Sequence, residues 1–101
     1  MSERKLAKTV TVSNPQGLHA RPADRFAKMA NEFESQITLV KDGMRVDGKS
    51  VLNILTLAAS EGTELVLETE GPDAEAALDA LAELVQSNFE DDQIKQQEPA
   101  S

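Results

Sequence analysis

The chain has 101 residues, 40% of them apolar and 28% charged, with a formal charge of −8, which is enough apolar material for one small core and a single domain. The acidic balance and the lack of Trp and Tyr exclude nucleic acid as a partner, because that would need a basic face and favours stacking aromatics. There is no cysteine, no run of about 18 apolar residues and no signal-peptide pattern, so nothing points to disulfides, membrane insertion or export, and a cytoplasmic protein is expected.

In chain order, Leu6, Lys8, Val10 and Val12 alternate with Ala7, Thr9 and Thr11, the period of a half-buried first strand. Asn14-Pro15-Gln16-Gly17 reads as a turn, and a first helix is predicted from about Ala20 to Asn31. Its apolar period is Ala23, Phe26, Ala27 and Ala30, and Pro22 falls in the first turn, where its missing N–H costs nothing. Asp24 is expected in that first turn too, where an acid suits the helix dipole. Ser35 to Lys41 reads as a second strand with Ile37 and Leu39 inward, and Asp42-Gly43 as a hairpin turn into a third strand, Met44-Arg45-Val46-Asp47. Ser50 is a good N-cap for a short helix from Val51 to about Ala59, closed by Glu61-Gly62. Leu65 and Leu67 alternate with Glu64, Val66 and Glu68 in a fourth strand, and Gly71-Pro72-Asp73 opens the last helix. The expected buried stripe of that helix is Ala74, Ala77, Leu78, Leu81, Leu84 and Val85. Residues 93–101 are too polar to pack and are expected to form a disordered tail behind a domain of residues 1–92. The order strand, helix, strand, strand, helix, strand, helix favours an α+β fold: one four-stranded antiparallel sheet with three helices on one face, an open-faced β-sandwich of βαββαβα order.

The stretch that carries chemistry is Gly17-Leu18-His19-Ala20-Arg21-Pro22, which contains the only histidine. His19 falls at or beside the N-cap of the first helix. The N–H groups of Ala20 and Arg21 then have no intrahelical acceptor, and with the positive helix end and the Arg21 guanidinium they can hold an anion beside the imidazole. A histidine ahead of a helix is often only a satisfied surface residue; here the same six residues read as a phosphate site with a nucleophile in it. Charge supports this: residues 1–29 carry a net +4, leaving −12 for residues 30–101, so the basic end surrounds His19 and can steer acidic partners. Val51, Leu52, Ile54, Leu55 and Leu57 cover more than one face of the second helix, which fits either a helix sunk in the core or an apolar docking face. No Walker A run, triad or metal-ligand spacing is present, so no cofactor or metal is expected.

The run Gly17-Leu18-His19-Ala20-Arg21-Pro22-Ala23 resembles, without a gap, the active-site signature of the histidine-containing phosphocarrier (HPr) proteins of the bacterial sugar phosphotransferase system, and the resemblance continues to about residue 92. It implies the open-faced sandwich, phosphorylation of His19 at Nδ1 and a phosphoryl group held by backbone amides and Arg21. The implied donor is Enzyme I charged by phosphoenolpyruvate, and the implied acceptor is an Enzyme IIA protein. Val51, Leu52 and Leu55 become the apolar patch that docks on partners, and Ser50 matches the serine that an HPr kinase/phosphorylase modifies in many members. His19 and Ser50, each at a helix start, are expected at the same end of the molecule, forming one docking surface from Arg21, Lys28, Lys49, Val51, Leu52 and Leu55. The resulting expectation is a monomeric phosphoryl relay rather than a stand-alone enzyme, in the sugar or the nitrogen-related (NPr) branch, with the acidic stretch from Ser87 to Asp92 leaning to the latter. The alternative is a regulator acting through Ser50 and protein binding. Gln16 departs from the Asn or Ser common at its place.

Overall fold

The structure, a computed structural model, describes residues 5–87. The expected domain limit at residue 92 and the tail of residues 93–101 lie outside the described residues. In chain order the elements are β1 (Lys5–Thr11), α1 (Ala20–Ala30), β2 (Gln36–Lys41), β3 (Met44–Asp47), α2 (Val51–Thr56), β4 (Glu64–Glu70) and α3 (Ala74–Gln86). This is the predicted βαββαβα sequence. The four strands form one sheet in the order β1-β4-β2-β3, every neighbour antiparallel.

Alternation decides which side each strand residue faces. Val10, Leu65, Leu67, Thr69, Ile37, Leu39 and Val46 are buried on the helix side, whereas Lys5, Ala7, Thr9 and Thr11 of β1 face water. Phe26, Ile54, Leu57, Leu81, Leu84 and Val85 fill the space between sheet and helices. All six residues of the expected α3 stripe are buried, together with Ala82. The β2–β3 hairpin closes with Lys41 opposite Met44. Asp42 and Gly43 both take positive φ, 50° and 84°, as a two-residue turn matched to the strand twist requires.

Three local expectations are corrected. Strand β2 begins at Gln36, not Ser35. Ser35 is buried and hydrogen-bonded to the Asp73 carboxylate, which also accepts from the backbone N–H groups of Glu34 and Ser35. Asp73 is the N-cap residue of α3, yet its side chain caps no N–H of that helix; it ties the α3 start to the start of β2 instead. Asp24 is not in the first turn of α1: the helix starts at Ala20, so Asp24 is its fifth residue and pairs with Lys28 at 3.2 Å, one turn on. Helix α2 ends at Thr56 rather than near Ala59. Leu57 and Ala58 close it with tight bonds to the carbonyls of Ile54 and Leu55, and Ala58 takes φ 50°. The chain turns there because the next carbonyl, Ala59, is needed elsewhere.

That need is set by Gly17. Its φ is 74°, and a Cβ placed on it would lie 2.4 Å from the Ala59 oxygen. The neighbouring Leu18 N–H donates to that same oxygen at 2.8 Å. Only glycine permits both the positive φ and the close approach. The segment entering α1 is thus fastened to the segment leaving α2. At the other end of the pair, the Asn31 side-chain amide donates to the Ala27 carbonyl and to that of Lys49, immediately before α2. Helices α1 and α2 therefore pass each other in opposite directions.

Candidate functional site

His19 is the N-cap residue of α1, with extended φ of −96° and ψ of −165°, and its ring caps nothing. Its carbonyl accepts the first helical bond, from Ala23 N–H at 3.0 Å. The N–H groups of Ala20 and Arg21 have no acceptor among the described residues, and Pro22 has none to offer. Two backbone donors thus point out of the positive end of an 11-residue helix, beside a half-exposed imidazole. The Arg21 side chain is exposed and has no ion-pair partner among the described residues. Among the described residues, a cation without an ion-pair partner, two free N–H donors and an uncommitted imidazole thus occur at one helix start, the kind of donor set that suits a tetrahedral anion.

The loop ahead of the ring is fixed by Asn14 and Gly17. Gly17 N–H donates to the Asn14 carbonyl at 2.8 Å, closing a turn around Pro15 and Gln16, and the Asn14 side chain bonds both Gln16 N–H and the Gly17 carbonyl. Sequence reasoning saw the turn but assigned no role to the Asn14 amide. An Asn ahead of Pro in a turn is a known local signal, but the part of Ala59 has none.

Ser50 is the N-cap of α2, its hydroxyl accepting from Asn53 N–H at 3.1 Å and from the Asn53 side chain at 3.2 Å. The expected common end for His19 and Ser50 is not what the fold provides. Leu18 sits against Ala59 past the end of α2, while Asn31 at the far end of α1 holds Lys49. The two helix starts are separated by the length of α1, about 16 Å for eleven residues. Arg21 stands with His19 in the first turn of α1; Lys28 lies in its last turn, toward Lys49, Ser50 and Val51. Both rim lysines are engaged: Lys28 with Asp24, and Lys49 through its ammonium with the Phe33 carbonyl at 2.7 Å. Of the apolar residues of α2, Ile54 is buried and Leu57 follows it into the core, Val51 and Leu55 are half-buried against that core, and Leu52 is 76% exposed. One side of this helix is therefore packed into the core, and the other carries the exposed Leu52.

The family description "PTS HPr component phosphorylation site" matches residues 6–87, which contain both helix starts. The chain belongs to the HPr family. Its HPr relatives include the phosphocarrier protein HPr of Treponema pallidum, 46% identical over 87 residues that make up 86% of this chain and 99% of that one. The phosphocarrier protein NPr of Shewanella violacea is 41% identical over 87 residues, 86% of this chain and 96% of the relative. Among solved structures, the crystal structure of an HPr from Bacillus anthracis superposes with a TM-score of 0.78 at 46% identity, covering 81% of this chain and 98% of that one. The open-faced sandwich expected from element order, and implied by the HPr resemblance, is the fold observed.

Proposed function

We propose that this chain is a cytoplasmic phosphocarrier of the phosphotransferase system that accepts a phosphoryl group on the His19 imidazole from Enzyme I and passes it to an Enzyme IIA protein. The observation that carries this is the combination at the α1 start: a ring that caps nothing and, among the described residues, two unused N–H groups on Ala20 and Arg21 and an Arg21 guanidinium without a partner. In the transfer, the lone pair of a ring nitrogen, Nδ1 by family resemblance, attacks the phosphorus of the donor's phosphohistidine. The donor's P–N bond breaks as the new one forms, and the donor ring recovers its lone pair. Charge that spreads over the equatorial oxygens meets the two amides and Arg21. The reverse exchange delivers the group to the acceptor. The chain acts as a monomer, consistent with an internally filled core and only Met44 and Leu52 as exposed large apolar side chains among the described residues.

Incubation with phosphoenolpyruvate and Enzyme I is expected to add one acid-labile phosphoryl group, and His19→Gln to abolish it while leaving the fold intact. Undiminished labelling of the variant would refute the assignment. Adding IIA proteins of the sugar and nitrogen-related branches in turn then separates the two branches by which one drains the label. A second reading, regulation through Ser50, is supported by the placement of its hydroxyl at a helix start beside the exposed Leu52. Incubation with an HPr kinase/phosphorylase and ATP tests it, with acid-stable label on Ser50 as the expected result.

A further inference from the structure

The geometry points to Asn14 as a positioning residue for the reacting imidazole, through its hold on the Gly17 carbonyl. This rests on the phosphocarrier reading of His19. Asn14 lies five residues before the ring and three residues past the end of β1, and its carbonyl and both ends of its side-chain amide are engaged on the loop between them. Its backbone carbonyl accepts from Gly17 N–H at 2.8 Å. Its side-chain oxygen accepts from Gln16 N–H at 3.3 Å. Its side-chain N–H donates to the Gly17 carbonyl at 3.2 Å.

That last acceptor is the critical one. The same Gly17 oxygen accepts from His19 N–H at 3.0 Å, so one carbonyl is held between the Asn14 amide and the backbone of the residue that reacts. The opposite edge of the Gly17–Leu18 peptide is held as well, because Leu18 N–H donates to Ala59 at 2.8 Å. A peptide fixed on both edges leaves the backbone of His19 little freedom to rotate. The bond from His19 N–H also turns that donor inward, so the outward donors are those of Ala20 and Arg21. Because His19 makes no capping bond of its own, the ring takes its direction from the backbone that carries it. Removing the Asn14 amide frees one edge of that peptide, and small misplacements of a reacting atom cost rate rather than binding.

The test compares Asn14→Ala and Asn14→Ser with wild type in phosphoryl transfer from Enzyme I, at a temperature where urea titration shows all three folded. Serine keeps a short side-chain oxygen for Gln16 N–H but does not reach the Gly17 carbonyl, so it restores the turn without the clamp. The expected result is a kcat about tenfold lower in both variants, KM for Enzyme I within about twofold of wild type, and shifted His19 ring 15N resonances in the unphosphorylated protein. Wild-type kcat in Asn14→Ala would overturn the inference. So would a loss confined to KM, which would make Asn14 a partner contact, or full recovery of kcat in Asn14→Ser, which would make turn stability alone responsible. If wild type itself takes no acid-labile label, the phosphocarrier reading fails. The ring resonances still report whether Asn14 orients His19.

Discussion

Replacing Gly17 by alanine isolates the contact that joins the α1 entry to the α2 exit. Two penalties apply. Alanine at φ 74° pays the left-handed cost of about 1–2 kcal/mol, partly offset by about 0.4–1 kcal/mol because alanine restricts the unfolded chain more than glycine does. The new methyl would also stand 2.4 Å from the Ala59 oxygen and 2.9 Å from the Ser60 Cα. These are backbone atoms, so no side-chain rotation relieves the overlap. Separating them requires bond-angle strain, about 1 kcal/mol for a 7° deviation and rising quadratically, or lengthening of the Leu18–Ala59 hydrogen bond, itself worth about 1 kcal/mol. The expected total is about 2 kcal/mol. Gly62→Ala is the internal control: its φ is 89° but nothing lies within 4 Å of the added carbon, so only the conformational part, about 1 kcal/mol, applies. In urea, with a slope of roughly 1–3 kcal/mol/M, the midpoint of Gly17→Ala should fall well below that of Gly62→Ala. Phosphoryl transfer to folded Gly17→Ala should also slow, because the displaced peptide carries His19. Equal midpoints for the two variants would refute the close-approach argument.

The Ser35 hydroxyl and the Glu34 N–H hold the Asp73 carboxyl below the usual aspartate range. Its stabilising contribution is therefore complete above the unfolded value near 4 and is lost as pH falls through the lower folded value; urea midpoints from pH 6 downward should drop less for Asp73→Asn, and for Ser35→Ala, than for wild type. Leu52→Glu, at a 76% exposed position, should change stability by no more than about 0.5 kcal/mol yet weaken Enzyme I binding by about 1–3 kcal/mol, whereas Ile54→Ala, at a buried position, should cost about 2–5 kcal/mol of stability; calorimetry and urea titration separate the two. Ser50→Ala loses the bond from Asn53 N–H and should cost about 1 kcal/mol with near-normal transfer, while Ser50→Asp keeps a cap but should accept phosphoryl groups more slowly. Equal transfer rates for Ser50→Asp and wild type at low salt would remove an electrostatic role for this position.

What was legible in the sequence was what short-range physics decides. Period-two alternation marked the inward residues Val10, Ile37, Leu39, Leu65 and Leu67, Asp42-Gly43 marked the hairpin, and the residue types of Ser50 and of the run from Gly17 to Pro22 marked two helix starts. What was not legible depends on partners distant in the chain. Leu57 continues the apolar pattern of α2, so the sequence extends the helix; its end at Thr56 is set by Ala59 turning to meet Leu18, some forty residues earlier. Asp73 looks like a helix cap because acids usually cap locally, but its carboxylate goes to Ser35, 38 residues away. The placement of His19 and Ser50 at one end failed for the same reason, since two helix starts share an end only if the helices run parallel.

The opposed directions of α1 and α2 give the molecule two addresses on one side rather than one. At physiological ionic strength an exposed charge is screened within about 8 Å, roughly half the length of α1, so a charge added at Ser50 barely reaches His19 directly. It is felt only by a visitor whose footprint runs the full length of the helix pair. A partner that grips the His19 end alone would exchange phosphoryl groups at the same rate whatever happens at Ser50, and one that spans both ends would not. A charge placed at the far address would thus select among visitors by their size and reach while leaving the His19 ring unchanged.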